Sequence, residues 1–202
     1  MSDDASRIIG LYERHAVAWD SDRTKSLFER PWLDRFTELI PPHGSVLDLG
    51  CGSGEPIARH LIGAGFEVTG VDASPVMVGL CRDRFPDGTW IVADMRQLPL
   101  GRSFDAILAW DSLFHLTAED QRRMFRAFAC HARPGSVLMF TSGPAAGEAI
   151  GSYRGEPLYH ASLDGPEYRS LLAGAGFDVI AQANADPACG GHTVWLAVAR
   201  RI

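Results

Sequence analysis

From residue 45 onward, short apolar runs alternate with segments of helical periodicity, and this alternation restricts the fold more than any other feature of the chain. Residues 45–50, 66–72, 89–93, 104–110, 136–141, 177–181 and 193–199 read as strands. Ile57, Ala58, Leu61 and Ile62 recur at helical spacing and predict a helix over 55–64, with Gly63 and Gly65 placed to end it. Ser74-Pro75 pairs an N-cap with a first-turn proline and opens a second. Thr117 caps a third, with Asp120 three residues on and Met124, Phe125, Phe128 and Ala129 as its apolar face. Asp164 and Glu167 bracket a fourth start, followed by Leu171, Leu172 and Ala175. Strands and helices in alternation make βα units around a mostly parallel sheet. The last two runs are joined by residues too few and too polar for a crossover helix, so the final strand is expected to run antiparallel.

The first 40 residues differ. Ile8, Leu11, Tyr12, His15 and Trp19 mark one helix; Leu27, Trp32, Leu33 and Phe36 mark another. Their aromatic side chains either pack against the sheet or close the top of a ligand site. A chain of 202 residues buries enough surface to fold without a staple. Its four cysteines show no zinc-type or CxxC spacing, which fits free thiols in a reducing cytoplasm. The acidic start MSDDASR lacks an apolar core, so no secretory signal is expected, and no run is long enough for a membrane span. Nineteen basic against 25 acidic residues give a net charge of −6, which argues against broad nucleic-acid or membrane binding.

Asp48-Leu49-Gly50-Cys51-Gly52-Ser53-Gly54 follows the first strand and leads into a helix. Glycines allow a sharp turn and close approach of a ligand to the backbone. Asp72 ends the second strand, 22 residues after Gly50, where a carboxylate can accept ribose hydroxyls. The spacing is not G-x-G-x-x-G, because Glu55 stands where the third glycine would be. Asp48 would repel a pyrophosphate and suits a ligand with a cationic amino-acid end.

With these residues the chain resembles the class I S-adenosylmethionine-dependent methyltransferases of the small-molecule type. VLDLGCGSG is similar to the family's first motif, VDAS to its acidic second, ADMRQLPL to its third and FDAILAWDSLFHL to its fourth. The resemblance implies an α/β, Rossmann-like seven-stranded sheet in the order 3-2-1-4-5-7-6, last strand antiparallel, with helices on both faces and extra N-terminal helices. It implies a single methyltransferase domain over 1–202, residues 1–40 forming a helical lid and 45–202 the cofactor-binding core. S-adenosylmethionine is the implied cofactor, S-adenosylhomocysteine its product, and no metal is expected.

The resemblance also implies residue roles. Gly50, Cys51 and Gly52 would line the methionine part through backbone atoms, and Asp48 would orient its amino group. Asp72 would hold the ribose hydroxyls. Ala73 and Met77 would pack near the adenine, with Asp94 accepting from its amino group and the Met95 backbone at the ring. Ala109 and Trp110 would make backbone contacts to the methionine end. Tyr12 would cover the cofactor, and Arg23 is a further candidate for its carboxylate.

Methyl transfer from a sulfonium is an in-line displacement that the enzyme mainly aligns and shields from water. His115, just past the fourth strand, and His160, in the 144–163 connection with Tyr153, Arg154 and Tyr159, are the expected catalytic side chains. Asp111 and His192 are further acid–base candidates. The 144–163 connection reads as a long loop on the acceptor side. Ala109-Trp110-Asp111-Ser112 is not the Asn/Asp-Pro-Pro-aromatic pattern of nucleic-acid amino methylation, and no Pro-Cys pair supports cytosine methylation. The expected reaction moves a methyl group to an O or N atom of a small molecule, in a cytoplasmic, bacterial monomer or homodimer with no nucleic-acid or membrane partner. An NAD(P)-dependent oxidoreductase and a catalytically silent cofactor-binding module are the competing readings.

Overall fold

The computed structural model describes residues 3–201; Met1, Ser2 and Ile202 of the expected 1–202 unit lie outside the described residues. In chain order, α1 (Asp3–Asp22) and α2 (Arg30–Thr37) precede β1 (Ser45–Leu49), α3 (Ile57–Gly63), β2 (Glu67–Asp72), α4 (Pro75–Arg84) and β3 (Thr89–Val92). Then follow β4 (Phe104–Ala109), α5 (Ala118–His131), β5 (Ala132–Ser142), β6 (Gly147–Tyr153) and β7 (Glu156–Ser162). The chain closes with α6 (Gly165–Gly174), β8 (Phe177–Asp186) and β9 (His192–Ala199).

Seven strands form one sheet in the order β3-β2-β1-β4-β5-β9-β8. Counted over the sheet's own strands, that is the expected 3-2-1-4-5-7-6. Pairings from β3 to β5 are parallel, and β9 runs antiparallel to both β5 and β8. The central strands are apolar almost throughout because both faces are covered. Alternation along β4 sends Ala106 and Leu108 to one core and Ile107 and Ala109 to the other. Phe140 stacks on Trp195 with ring centroids 5.9 Å apart and meets Phe125 and Tyr168 at its edges. Burying each such ring contributes roughly 1.5–3 kcal/mol.

The three side-chain caps read from sequence are in place. Ser74 Oγ accepts from Met77 N at 3.1 Å, Thr117 Oγ1 from Asp120 N at 3.1 Å and Asp164 Oδ1 from Glu167 N at 2.7 Å. Gly65, at φ +89°, follows the last turn of α3. Residues 144–163 depart from expectation. They are not a loop but an antiparallel hairpin, β6 paired with β7 outside the main sheet. Arg154 and Gly155 turn it with positive φ at both positions, the twist that suits a two-residue hairpin. Tyr159 and Ala161 of β7 pack with Ile8 of α1, so the hairpin and the first helix bury each other.

Candidate functional site

A cavity of about 330 Å³ opens at the C-terminal ends of the parallel strands, where open α/β sheets bind ligands. Its floor is the turn after β1. Gly50 N and Cys51 N both donate to Val71 O, at 2.8 and 3.1 Å, which folds the turn over the end of β2. Gly50, Gly52 and Gly54 all have positive φ. At Gly50 a Cβ would stand 2.3 Å from Ser112 Cβ, so this position needs glycine for space as well as for conformation. Asp72 takes Gly52 N on one oxygen and Ser74 N on the other, each at 2.9 Å. Burial pushes its carboxyl above the usual carboxylate range, against those backbone donors.

Asp48 is 4% exposed, and its carboxylate faces the cavity without a hydrogen bond among the described residues. Burial, helped by the charge of Asp72, raises it to about 7, while Arg23 acts in the opposite direction. Asp94 caps the short turn after β3 by accepting from Arg96 N at 2.9 Å, and both its oxygens also take the Arg96 guanidinium.

Helix α1 forms the opposite wall. Tyr12 Oη and His115 Nε2 are 2.8 Å apart, and His115 Nδ1 lies 2.9 Å from Tyr159 O. The carbonyl only accepts, so Nδ1 carries the proton and Nε2 receives the Tyr12 hydroxyl. Burial holds His115 down at about 4 and drives the Tyr12 phenol well up, the latter with help from Asp111 and Asp72. Both groups are therefore neutral near pH 7, and His115 is a poor general base. Long-range ties hold α1 in place. Glu13 accepts from Ser74 Oγ at 2.5 Å, Asp20 from Ser53 Oγ at 2.5 Å and from Arg84, and both Arg14 and His15 reach Glu156. Tyr153 and Arg154 donate to Asp22 at 2.9 Å.

The expected cofactor-side residues Tyr12, Asp48, Gly50, Cys51, Gly52, Asp72, Ala73, Met77, Asp94, Met95 and Trp110 line this one cavity, and so does His115. Ala109 does not; it is wholly buried within β4. His160 does not line it either. The two-residue alternation of β7 turns His160 away from the Tyr159–Ala161 side, and its ring lies against Phe114 and His115, at 5.3 and 4.9 Å. Tyr153 is likewise drawn off, to Asp22 and to the Trp19 ring. His192 Nε2 lies 2.8 Å from Asp111 Oδ1 and outside the cavity lining.

A charged network was not visible in the sequence. Arg23 Nη2 donates to Glu29 Oε1 at 2.8 Å, and Arg23 Nη1 reaches Asp111 Oδ2 at 3.5 Å. The bond to His192 lowers Asp111 despite its burial and raises His192. Its members come from the end of α1, the start of α2, the turn after β4 and the start of β9. No local spacing signals that assembly; only the place of Asp111, directly after the fourth motif, hinted at part of it. Among the described residues, no three His, Cys, Asp or Glu side chains cluster as a metal site. The cavity offers backbone donors, buried carboxylates and aromatic walls, a set suited to holding and aligning a polar ligand.

Residues 46–135 match the family described as Methyltransferase domain. A dTDP-3-amino-3,4,6-trideoxy-alpha-D-glucopyranose N,N-dimethyltransferase of Streptomyces venezuelae is 34% identical over 108 residues, 52% of this chain and 45% of that protein. An O-methyltransferase of Penicillium expansum is 29% identical over 209 residues, 93% of this chain and 74% of the other. The chain spans about half the length of the first curated relatives it matches. Magnesium protoporphyrin IX methyltransferase from Synechocystis, solved with S-adenosylhomocysteine bound, superposes with a TM-score of 0.74, covering 98% of this chain and 100% of that one at 20% identity.

Proposed function

Residues 46–135 match the family described as Methyltransferase domain, and on that premise we propose that this chain transfers a methyl group from S-adenosylmethionine to an O or N atom of a small molecule. The observation that carries the reading is the buried, unpartnered Asp48 carboxylate beside the glycine turn, with Asp72 at the end of the next strand. Such a carboxylate suits a cationic amino group, and Asp72 suits vicinal hydroxyls. The donor set therefore fits the cofactor.

The cofactor, when bound, supplies a methyl group made electrophilic by a positively charged sulfur. Everything else falls to the chain. Asp48 would take the amino group, with Gly50, Cys51 and Gly52 presenting backbone atoms to the same end. Trp110, with Ala109 behind it in the strand, would close that end. Asp72 would receive the ribose hydroxyls, and Ala73, Met77 and Met95 would enclose the adenine. Asp94 would accept from the adenine amino group while keeping Arg96. Tyr12, held by His115, would cover the site, so α1 and α2 act as its lid.

His115 fixes the Tyr12 hydroxyl and keeps its own charge off the cavity, so it orients rather than abstracts a proton. Alignment and exclusion of water would then carry the rate. The net charge of −6 and the acidic cavity favour a small acceptor over a polynucleotide. The free cysteines fit a cytoplasmic setting, and none of the described helices is long and apolar enough to cross a membrane.

Calorimetry with S-adenosylmethionine and S-adenosylhomocysteine tests the reading directly. Binding is expected for both. Absence of binding at millimolar ligand would overturn it, and selective thermal stabilisation by NADH would favour the oxidoreductase reading.

A further inference from the structure

We infer that Glu29 is a positioning residue, which aims Arg23 into the cavity to receive the carboxylate at the amino-acid end of the cofactor. This rests on the cofactor reading above. Glu29 is the N-cap residue just before α2, where an acidic side chain could bond the free N–H groups of the helix. It makes no such cap bond. The side chain is 1% exposed and reaches Arg23 instead. In the preceding linker Leu27, not a glycine, has φ +50°.

The carboxylate is only half used. Oε1 holds Arg23 Nη2 at 2.8 Å, while Oε2 is buried with no hydrogen-bond partner. A buried carboxylate with one bare oxygen is a poor stabiliser, and burial raises it above its usual range. As a simple tie between α1 and α2 it is therefore expensive. As a brace it is well placed, because Asp111 approaches the same guanidinium from the other side, through Nη1 at 3.5 Å. Arg23 is 18% exposed and lines the cavity. Its charge is felt by Asp48 across the floor. Arg23 and Asp48 both line the cavity and together offer it one cation and one carboxylate, the complement of an ammonium–carboxylate zwitterion.

The test compares two ligands: S-adenosylhomocysteine, and its decarboxylated analogue, which keeps the ammonium and the nucleoside. Glu29→Met keeps the side-chain length and removes the charge. Its expected effect is a roughly tenfold rise in Kd for S-adenosylhomocysteine, with the analogue within about twofold of wild type and no fall in Tm. Glu29→Gln, the milder variant, should give a smaller loss of the same selectivity. Adding Glu29→Met to Arg23→Ala should cost nothing further, since the brace has nothing left to aim. Equal losses on both ligands would mark a merely structural residue and overturn the inference, as would unchanged affinity for both. If wild type binds S-adenosylhomocysteine and only this selectivity is missing, the cofactor reading stands and Glu29 loses its role; if wild type binds neither ligand, both fall.

Discussion

The floor and the roof of the cavity are built by different means. The floor is one contiguous strand–turn–helix passage and the strand that follows it. Its key bonds run from backbone to backbone or from backbone to Asp72, across the register of two neighbouring strands. The roof is α1 with the hairpin, joined by side chains that lie far apart in the sequence: Tyr12 to His115, Arg14 and His15 to Glu156, Tyr153 and Arg154 to Asp22. A backbone-built floor cannot change without moving the sheet. A side-chain-built roof can loosen while the sheet stays folded. The comparison teaches that binding geometry and access are held by separable parts of the chain.

The largest effect is expected from an attack on the floor. Gly50→Ala puts a methyl group into Ser112 at a backbone conformation that alanine resists, and should cost about 2–4 kcal/mol of stability. It should also abolish calorimetric S-adenosylhomocysteine binding; a Tm within a degree of wild type would break the contrast. Next is Asp72→Ala, which removes an acceptor and should weaken S-adenosylhomocysteine by roughly 1.5–3 kcal/mol. That figure is read from titration at fixed pH, and an unchanged Kd would remove Asp72 from the floor's function.

A pH dependence sharpens the comparison further. Asp48 has its pKa raised to about 7, so the fold favours its protonated form. Its contribution to stability is full below the ordinary carboxylate pKa and is lost as pH rises through about 7. A bound ammonium reverses that preference. Affinity for S-adenosylhomocysteine should therefore climb from acid pH, approaching about tenfold per unit, and level off above neutrality. Asp48→Asn should flatten the climb; a wild-type Kd that ignores pH over this range would contradict the assignment. The smallest effect belongs to the roof. Glu156→Gln weakens exposed ties to Arg14 and His15, so Tm should barely move. Stopped-flow displacement should instead show faster ligand release, and a large fall in Tm would make the roof part of the core.

The same division explains what the sequence disclosed. Asp48, the glycine turn, Asp72 and the Ser74 cap are consecutive features of one βα passage, so their spacing already encodes their geometry. The mostly parallel sheet followed from alternation and the antiparallel last strand from the short link before β9, while the strand order came from the resemblance of the motifs. Residues 144–163 stayed opaque because β6 is exposed along nearly its whole length and carries no buried alternate face. A strand recognised only by its partner leaves no period to read. The side to which His160 turns was hidden for that reason: once the segment is a strand rather than a loop, neighbouring residues face opposite ways. Glu29 left no trace either, since its meaning comes from Arg23 and Asp111, and Asp111 lies 88 residues from Arg23.

The long-range ties of α1 also fix an order of events in the cell. The helix leaves the ribosome before Ser53, Ser74, Arg84, His115 and Glu156, all of them groups that anchor it. Through most of translation Ile8, Leu11 and Trp19 have no surface to bury against. This helix is thus among the last elements to settle, since its contacts with the hairpin close only after the hairpin has been made.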